Sequence, residues 1–296
     1  MPELPEVETI RLELAPCITG RIITGLDLIW KGTFLDYSEE EFRTRLLGQR
    51  ITSIYRRGKY LALRLASGDS LIIHLRMTGS LLLQSGAAKP EKYVRAVIYL
   101  DGDISIHFRD PRKFGVMWLC HNPDSLDKRL GAEPLEASFT ADVLSRLMEK
   151  RKAPVKALLL EQKLIAGIGN MYADESLFSA GIHPLRPGGS LNRKEVQRLH
   201  RSIREILRAA IDHKGASVNT YYRPGGEEGI AHFSFRVAHR LGGELCPVCN
   251  IPIERVTVRN RGTYFCPACQ PAVKKKAACK HRHRQIKKPP QVIPAK

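Results

Sequence analysis

The stretch KLIAGIGNMYADESLFSAGIHP, Lys163–Pro184, decides how this chain divides. Upstream of it, Pro154 suits a helical first turn and opens a helix expected to reach about Ile165. Gly167-Ile168-Gly169-Asn170 interrupts that helix. Asn170 then opens a second, Met171–Ala180, which Gly181 ends. The two glycines allow a tight turn in which backbone N–H groups and the Asn170 amide can approach a phosphate at a helix start. On spacing alone, a plain inter-helix turn explains the same residues equally well.

Working outward, the pattern stays helical on both sides. Thr140 can cap a helix running to about Lys150. Asn192 and Glu195 have capping-box spacing before a long helix to about His213, with Gly215 after it. Val196, Leu199, Ile203, Ile206, Leu207, Ala210 and Ile211 form its apolar stripe, suited to core packing. Residues 131–137 (GAEPLEA) read as a linker, and before them the signal changes. A helix from Pro5 to about Leu14, closed by Pro16, precedes short strand-like runs at Arg21–Ile29, Arg50–Tyr55, Lys59–Ala66, Ser70–Arg76, Tyr93–Leu100, Ile104–Arg109 and Gly115–Leu119. Asp101-Gly102-Asp103 is a hairpin signal, and Ile104, Ile106 and Phe108 alternate with Ser105, His107 and Arg109 as in a half-buried strand. The fold class expected is α+β and multidomain: an N-terminal β-sandwich (or barrel) with a leading helix over 1–131, a helical unit over 138–228, a C-terminal cysteine hairpin over 236–270, and a tail over 271–296.

The chain has 296 residues and a net charge of +18, from 48 Lys plus Arg against 30 Asp plus Glu. Nine basic and no acidic residues lie in 271–296, so residues 1–270 still carry +9. The folded part is basic without its tail, which is low in apolar residues and expected to be disordered. Such a balance suits a polyanion, nucleic acid first, with membrane or ribosome surfaces left open by charge alone. No apolar run approaches the roughly 20 residues needed to span a bilayer. The amino terminus shows no basic-then-apolar leader. A cytoplasmic monomer is expected, associated with the nucleoid in a bacterium.

Four of the seven cysteines form Cys246-x2-Cys249-x16-Cys266-x2-Cys269. Each Cys-x-x-Cys can wrap one side of a tetrahedral Zn²⁺, and the spacing falls within the zinc-ribbon pattern. A disulfide framework is the competing reading and suits a cytosolic chain poorly. Four thiolates fill the shell, so one structural ion per chain is expected, with no open position for water. Cys17, Cys120 and Cys279 lack such spacing and read as ordinary thiols.

Met1-Pro2-Glu3-Leu4-Pro5-Glu6-Val7-Glu8 carries the chemistry. Pro2 permits removal of Met1, which exposes a secondary amine. An α-amino group has a pKa of roughly 8 against roughly 10.4 for lysine, so about a tenth is unprotonated at neutral pH. Such an amine condenses with an aldehyde to a cationic iminium, and Glu3 stands beside it as an acid/base partner. Taken alone the stretch also reads as a helix start, with Pro5 in the first turn and glutamates at the positive end of the dipole.

Pro2–Thr9 (PELPEVET), together with Lys163–Pro184, Asp110–Gly115 (DPRKFG) and the cysteine hairpin, resembles bacterial formamidopyrimidine-DNA glycosylases over about residues 2–271. The related endonuclease VIII branch usually reads Pro-Glu-Gly-Pro-Glu, so Leu4 favours the purine-directed branch. The resemblance implies a helix–two-turn–helix unit and a zinc ribbon that bind damaged double-stranded DNA. It implies a bifunctional glycosylase and abasic-site lyase acting on oxidised purines through Pro2 and Glu3. By the same resemblance, Lys59 assists β-elimination and Arg261 at the ribbon tip assists δ-elimination. Asn170 and Lys156 grip phosphates, His74 and Tyr93 join the DNA contacts, and Glu175 braces the site near the amine. Met77, Arg112 and Phe114 fill the void left by the flipped nucleotide, a task their flexible, planar and cationic side chains suit. Each of these three is otherwise an ordinary core or solvated residue. Lys92-Tyr93-Val94-Arg95 departs from the family's frequent Lys-His-x-His, so a phosphate contact there is altered. Ser234–Gly243 lacks the common Tyr-Gly-Arg. Asn219–His232 is the expected damaged-base loop, whose sequence does not rank 8-oxoguanine against ring-opened purines. Two other readings compete: an endonuclease VIII-type enzyme for oxidised pyrimidines, and a non-catalytic zinc-ribbon DNA-binding protein.

Overall fold

Helix α1 (Leu4–Ile18) is where the two halves of the molecule meet. The computed structural model describes every residue except 37, 87, 122–125, 127, 219–220, 239–242 and 273–296. Almost all of the expected tail therefore lies outside the described residues. Val7, Ile10, Leu14 and Ile18 of α1 enter the core of the β-sandwich, while Leu4 enters the core of the helical half. The helix passes through Pro16 instead of stopping before it. A proline there removes one hydrogen bond, that to the carbonyl of exposed Leu12, and burial of Leu14 and Ile18 outweighs so small a loss.

The sandwich is two four-stranded antiparallel sheets. One has the order β1-β6-β7-β5, from β1 (Ile23–Leu28), β6 (Val94–Leu100), β7 (Ile104–Arg109) and β5 (Ser80–Ser85). The other runs β2-β3-β4-β8, from β2 (Ile51–Arg57), β3 (Tyr60–Leu65), β4 (Ser70–His74) and β8 (Val116–Cys120). The expected hairpin joins β6 and β7, with Leu100 opposite Ile104. Both faces of β7 are covered, however: Ser105 and His107 are buried as well, bonded to one another at 3.1 Å. Sequence reading missed β5, whose Leu81-Leu82-Leu83 run has no alternation, and α2 (Glu39–Leu46), although Ser38 and Glu41 form a capping box before it.

The helical half holds α3 (Ala141–Met148), α4 (Val155–Leu159), α5 (Asn170–Ala180) and α6 (Arg193–Asp212). The Thr140 cap, the Asn192–Glu195 capping box and the left-handed Gly181 are formed as expected. Helix α4 ends six residues before the expected Ile165. Ala132 of the supposed linker pairs with Ile165, and the Gln162 side chain takes up the turn by bonding Gly167 N–H and the Ile168 carbonyl. The 131–137 segment is thus a packed connection. Glu133 within it binds Arg56, Arg57 and the Gly58 N–H of the sandwich. Strands β9 (Glu254–Val258) and β10 (Arg261–Phe265) make the ribbon hairpin, turned by Arg259 and Asn260 at positive φ, the requirement of a two-residue hairpin loop.

Glu6 ties these pieces together. Its carboxylate accepts from Tyr172 Oη–H of α5 at 2.5 Å, from Ala216 N–H after α6 at 2.8 Å, and from its own neighbour Glu3 N–H at 2.7 Å. Burial, reinforced by the Glu3 charge, raises its pKa above the usual carboxylate value. Glu6→Ala strands three buried donors at about 1–3 kcal/mol each. It is expected to lower the unfolding free energy in urea by at least about 3 kcal/mol, and Glu6→Gln by less.

Candidate active site

A cleft of roughly 730 Å³ opens between the two halves. Lys59, Tyr60, His74, Arg76, Met77, Lys113 and Phe114 line its sandwich wall; Leu160, Gln162, Ile168 and Gly169 line the helical wall. Arg261 of the ribbon tip and Met1 complete it. The structure therefore gathers side chains from both ends of the sequence around the amino terminus.

Pro2 and Glu3 are buried at this junction. The Glu3 carboxylate lies against the backbone of Gly169, where any Cβ would collide with it. Glu3 Oε1 accepts the Met171 N–H of the first turn of α5 at 3.2 Å, while buried Oε2 has no hydrogen-bond partner. Gly167, at φ +88°, does a similar service next door: its carbonyl accepts Leu4 N–H at 3.0 Å, and a side chain there would strike Leu4. The Gly-Ile-Gly-Asn turn is thus a close approach of α5 to the start of α1.

Lys59 is buried beside this pair. Desolvation lowers its pKa below the ordinary lysine value, with Glu3 opposing and Arg261 adding to the fall. His74 is held down to about 3 by burial and by the charges of Arg76 and Lys59, so its ring is neutral at physiological pH. Its Nδ1 accepts the Arg76 N–H at 3.1 Å.

Met77, Arg112 and Phe114, expected to act together, stand together. Arg112 donates to the Met77 sulfur at 3.3 Å and lies 4.7 Å over the Phe114 ring. Met77 and Phe114 are 43% and 48% exposed, which is high for large apolar side chains. The organiser is Asp110, which sequence reading had passed over. Its buried carboxylate accepts N–H groups of Arg112 (3.2 Å), Phe114 (2.7 Å) and Gly115 (2.7 Å), and the Thr78 hydroxyl from the other loop. An Asp before Pro and ahead of Gly was the available signal for such a side-chain-capped turn.

Lys156 faces the ribbon and not the cleft. Its side chain is 0% exposed, and Nζ is spent on Asp174 Oδ1 (2.8 Å), Thr263 Oγ1 (2.8 Å) and the Gly262 carbonyl (3.3 Å). Asn170 Nδ2 donates to the same Gly262 carbonyl at 3.0 Å. Burial pushes the Asp174 carboxyl up against the pull of Lys156, and Asp174 also accepts Tyr264 N–H. These contacts aim the hairpin so that Arg261 reaches the cleft. Glu175 braces the segment after 235, accepting the N–H groups of Arg236, Val237 and Ala238 at 2.8–3.0 Å. Tyr93 lies on the sandwich surface at φ +75° and does not line the cleft.

The four ribbon sulfurs lie within 4.8 Å of one another. The separations Cys246–Cys269, Cys249–Cys269 and Cys249–Cys266 are 3.9, 3.6 and 3.4 Å. Thiolates on zinc at about 2.3 Å stand about 3.8 Å apart, so the set fits one tetrahedral ion and closes around it. Cys17 and Cys120 are in no disulfide; Cys279 lies outside the described residues.

Fold and site together define the class of DNA glycosylases that combine an amino-terminal sandwich with a helix–two-turn–helix unit and a zinc ribbon. The chain belongs to the formamidopyrimidine-DNA glycosylase family. Residues 1–117 match the family model for the formamidopyrimidine-DNA glycosylase N-terminal domain, 130–222 that for its H2TH domain, and 243–272 that for the zinc finger found in FPG and IleRS. Formamidopyrimidine-DNA glycosylase of Chloroflexus aurantiacus is 44% identical over 272 residues, covering 91% of this chain and 98% of the relative. The Thermus thermophilus MutM (FPG) protein superposes with a TM-score of 0.81 at 37% identity, covering 91% and 98%. A Lactococcus lactis Fpg in complex with abasic-site DNA gives 0.84 at 36%, covering 91% and 100%. Another Lactococcus lactis complex holds Fapy-dG containing DNA, with 0.84 at 35% over 91% and 100%. Among the described residues no helix is long and apolar enough to cross a membrane.

Two outcomes follow from this geometry. Zinc chelation is expected to disorder residues 243–272 and weaken DNA binding while most helical circular dichroism from α3–α6 survives. Asp110→Asn, which removes charge from a carboxylate holding four donors, is expected to weaken binding of lesion duplex by about tenfold, with a thermal midpoint lowered by a few degrees.

Proposed function

We propose that this chain excises oxidised purines, 8-oxoguanine and formamidopyrimidines, from duplex DNA and then cleaves the strand at the abasic site. After removal of Met1, the Pro2 amine attacks C1′ of the flipped nucleotide as the bond to the base breaks. Glu3 delivers a proton to the sugar ring oxygen as the ring opens, and an iminium joins Pro2 to C1′. The iminium makes the C2′ proton acidic. Its loss expels the 3′ phosphate (β-elimination), and a second elimination expels the 5′ phosphate, leaving a one-nucleotide gap with phosphates at both ends. Splitting one hard displacement into covalent steps is the gain.

The observation that carries this reading is the Glu3 carboxylate. It is buried next to Pro2, pressed on Gly169 of the cleft's helical wall, with one oxygen bonded and the other unpartnered. Glu3 is also the N-cap of α1, in a capping box with Glu6, but burial of an unpartnered oxygen goes beyond what a helix start needs. Lys59, its pKa lowered by burial, is assigned to assist β-elimination, and Arg261 to assist δ-elimination. His74, Asn170 and Tyr93 are assigned to the DNA backbone, and Met77, Arg112 and Phe114 to the void. Lys156 is assigned to hold the ribbon tip that carries Arg261, since its ammonium is fully engaged there. Residues 1–131 are the catalytic unit in this scheme, 138–228 and 236–270 the DNA-binding units, and a monomer in the bacterial cytoplasm suffices. The Lactococcus lactis complex with Fapy-dG containing DNA supports the choice of purine lesions, and the complex with abasic-site DNA supports action at abasic sites.

Borohydride should reduce the iminium and fix the enzyme to lesion DNA, with the cross-link in the peptide beginning at Pro2. Residues 2–30 contain no lysine to compete. A version that keeps one residue ahead of Pro2 should still bind a stable abasic-site analogue yet lose both trapping and cleavage. Normal trapping by that blocked protein would overturn the assignment of Pro2. Glu3→Gln should suppress base excision by at least about a hundredfold, the scale of general acid catalysis. It should spare more of the cleavage at preformed abasic sites, where the aldehyde is already free.

A further inference from the structure

Helix α6 carries a charged surface that the chemistry of the cleft does not use. Its buried stripe, Val196, Leu199, Ile203, Leu207 and Ala210, faces the core of the helical half. One residue further round, Gln197, Arg201, Arg204 and Arg208 form a ridge with spacings of four, three and four, which keeps them on one face. A groove of roughly 550 Å³ runs along this ridge, completed by His200, Glu205 and Ala141 at the start of α3. None of these residues lines the cleft.

Two features separate the groove from a solvated helix face. The first is uncompensated charge. Arginines at this spacing repel one another, yet among the described residues Arg201, Arg204 and Arg208 make no ion pair. Glu205 stands four residues after Arg201 and three before Arg208, where such pairs ordinarily form, and makes none either. The second is that the middle of the ridge is fixed. Arg204 donates to the Pro134 and Glu136 carbonyls at 2.9 and 2.7 Å, and the His200 ring N–H to the Phe139 carbonyl at 2.7 Å. Neutral acceptors hold Arg204 in place without cancelling its charge. Burial and the Arg208 charge lower its pKa below the ordinary arginine value, with Glu136 opposing. Arg201 and Arg208, on either side of it, are exposed.

We propose that this groove binds an acidic peptide segment of a partner protein. A guanidinium fork takes a carboxylate through two parallel hydrogen bonds, which an exposed arginine without a counter-ion is free to offer. Arg201 and Arg208 are seven residues apart, about 10 Å along the helix axis. Acids three residues apart on an extended peptide span about the same distance. Glu205, between the two arginines, favours a peptide over nucleic acid. A sugar–phosphate backbone of DNA brings only acceptors and negative charge to that carboxylate, whereas a peptide brings backbone N–H groups that it can accept. The net charge of +18 adds long-range attraction for an acidic partner. The groove and its ligand are independent of the chemistry proposed for Pro2 and Glu3.

The test uses full-length protein saturated with a duplex that carries a stable abasic-site analogue, so that the cleft is filled. The probe is a short fluorescein-labelled peptide with aspartate at every third position among serines and glycines. Its binding is followed by anisotropy at physiological salt, beside that of its asparagine counterpart. Wild type should bind the aspartate peptide about tenfold more tightly than the asparagine one, the scale of two arginine–carboxylate contacts. Arg201→Gln combined with Arg208→Gln should remove that preference. Both positions are exposed and glutamine is a good helix former, so the fold is not at stake. Lys287→Gln combined with Lys288→Gln removes the same charge from the tail and should leave the preference intact. An excess of single-stranded oligothymidylate should not displace the peptide. Equal binding of the two peptides by wild type would overturn the proposal, and this arm needs no variant. An equal loss in the Lys287 and Lys288 variant would also overturn it, by marking the attraction as net charge without a site. Displacement by oligothymidylate would assign the groove to nucleic acid and overturn it too.

Discussion

One buried carboxylate, Glu6, holds the molecule's two halves in register. A carboxylate at 0% exposure is costly unless it is hydrogen-bonded. Glu6 meets that demand with donors from α5, from the segment after α6 and from its own helix start. The consequence is geometric. Helix α1 cannot move with the sandwich alone, because its first turn is bonded to the helical half while its later turns fill the sandwich core. Pro2 and Glu3, just ahead of that turn, are therefore fixed relative to both walls of the cleft. The chemistry proposed for Pro2 sits at a chain terminus, ordinarily the most mobile part of a domain, and needs some such restraint.

Close approach is the second constraint. Gly169 and Gly167 bring the α5 turn against Glu3 and Leu4 at distances no side chain permits. Asp110 does the corresponding work on the opposite wall, turning two separate loops into one projection that carries Met77, Arg112 and Phe114. The Lys156–Asp174 pair is the third fixture. It is buried, satisfied by the ribbon hairpin, and sets where Arg261 points. Zinc stabilises the hairpin from its far end, and the ion pair holds the near end. The cleft is thus assembled from stretches widely spaced in the chain, with Glu6, Asp110 and the Lys156–Asp174 pair as its buried polar fixtures.

Much of this was legible in the residues. Capping boxes, the glycine stop after α5, the Asp-Gly-Asp hairpin and the paired Cys-x-x-Cys spacings are local signals, complete within a few residues. They determined the α+β class, the helical elements and the zinc ribbon, because local hydrogen bonding and metal geometry act over short separations in the chain. Pro2 and Glu3 could be singled out as candidates for the same reason, as chemistry that side-chain type and neighbours already express. Met77, Arg112 and Phe114 were singled out by family resemblance and not by any local pattern. Strand β5 and helix α2 were missed where the periodic signal was weak, and α4 was drawn too long because its end depends on Ala132 pairing with Ile165, a contact from outside the segment.

Only the tertiary structure decided which polar groups are buried and who satisfies them. Glu6 reads as a helix-dipole residue, Lys156 as a phosphate ligand, Glu175 as a brace near the amine, and Asp110 as part of a turn. Their partners within the protein are Tyr172 and Ala216, Asp174 and Thr263, the 236–238 backbone, and the Thr78 loop. Desolvation makes an unmet buried charge expensive, so such partners are obligatory. They lie too far away along the chain for any local pattern to announce them. The amino acids determined what chemistry this protein carries; the packing of α1 between two cores determined where it is held.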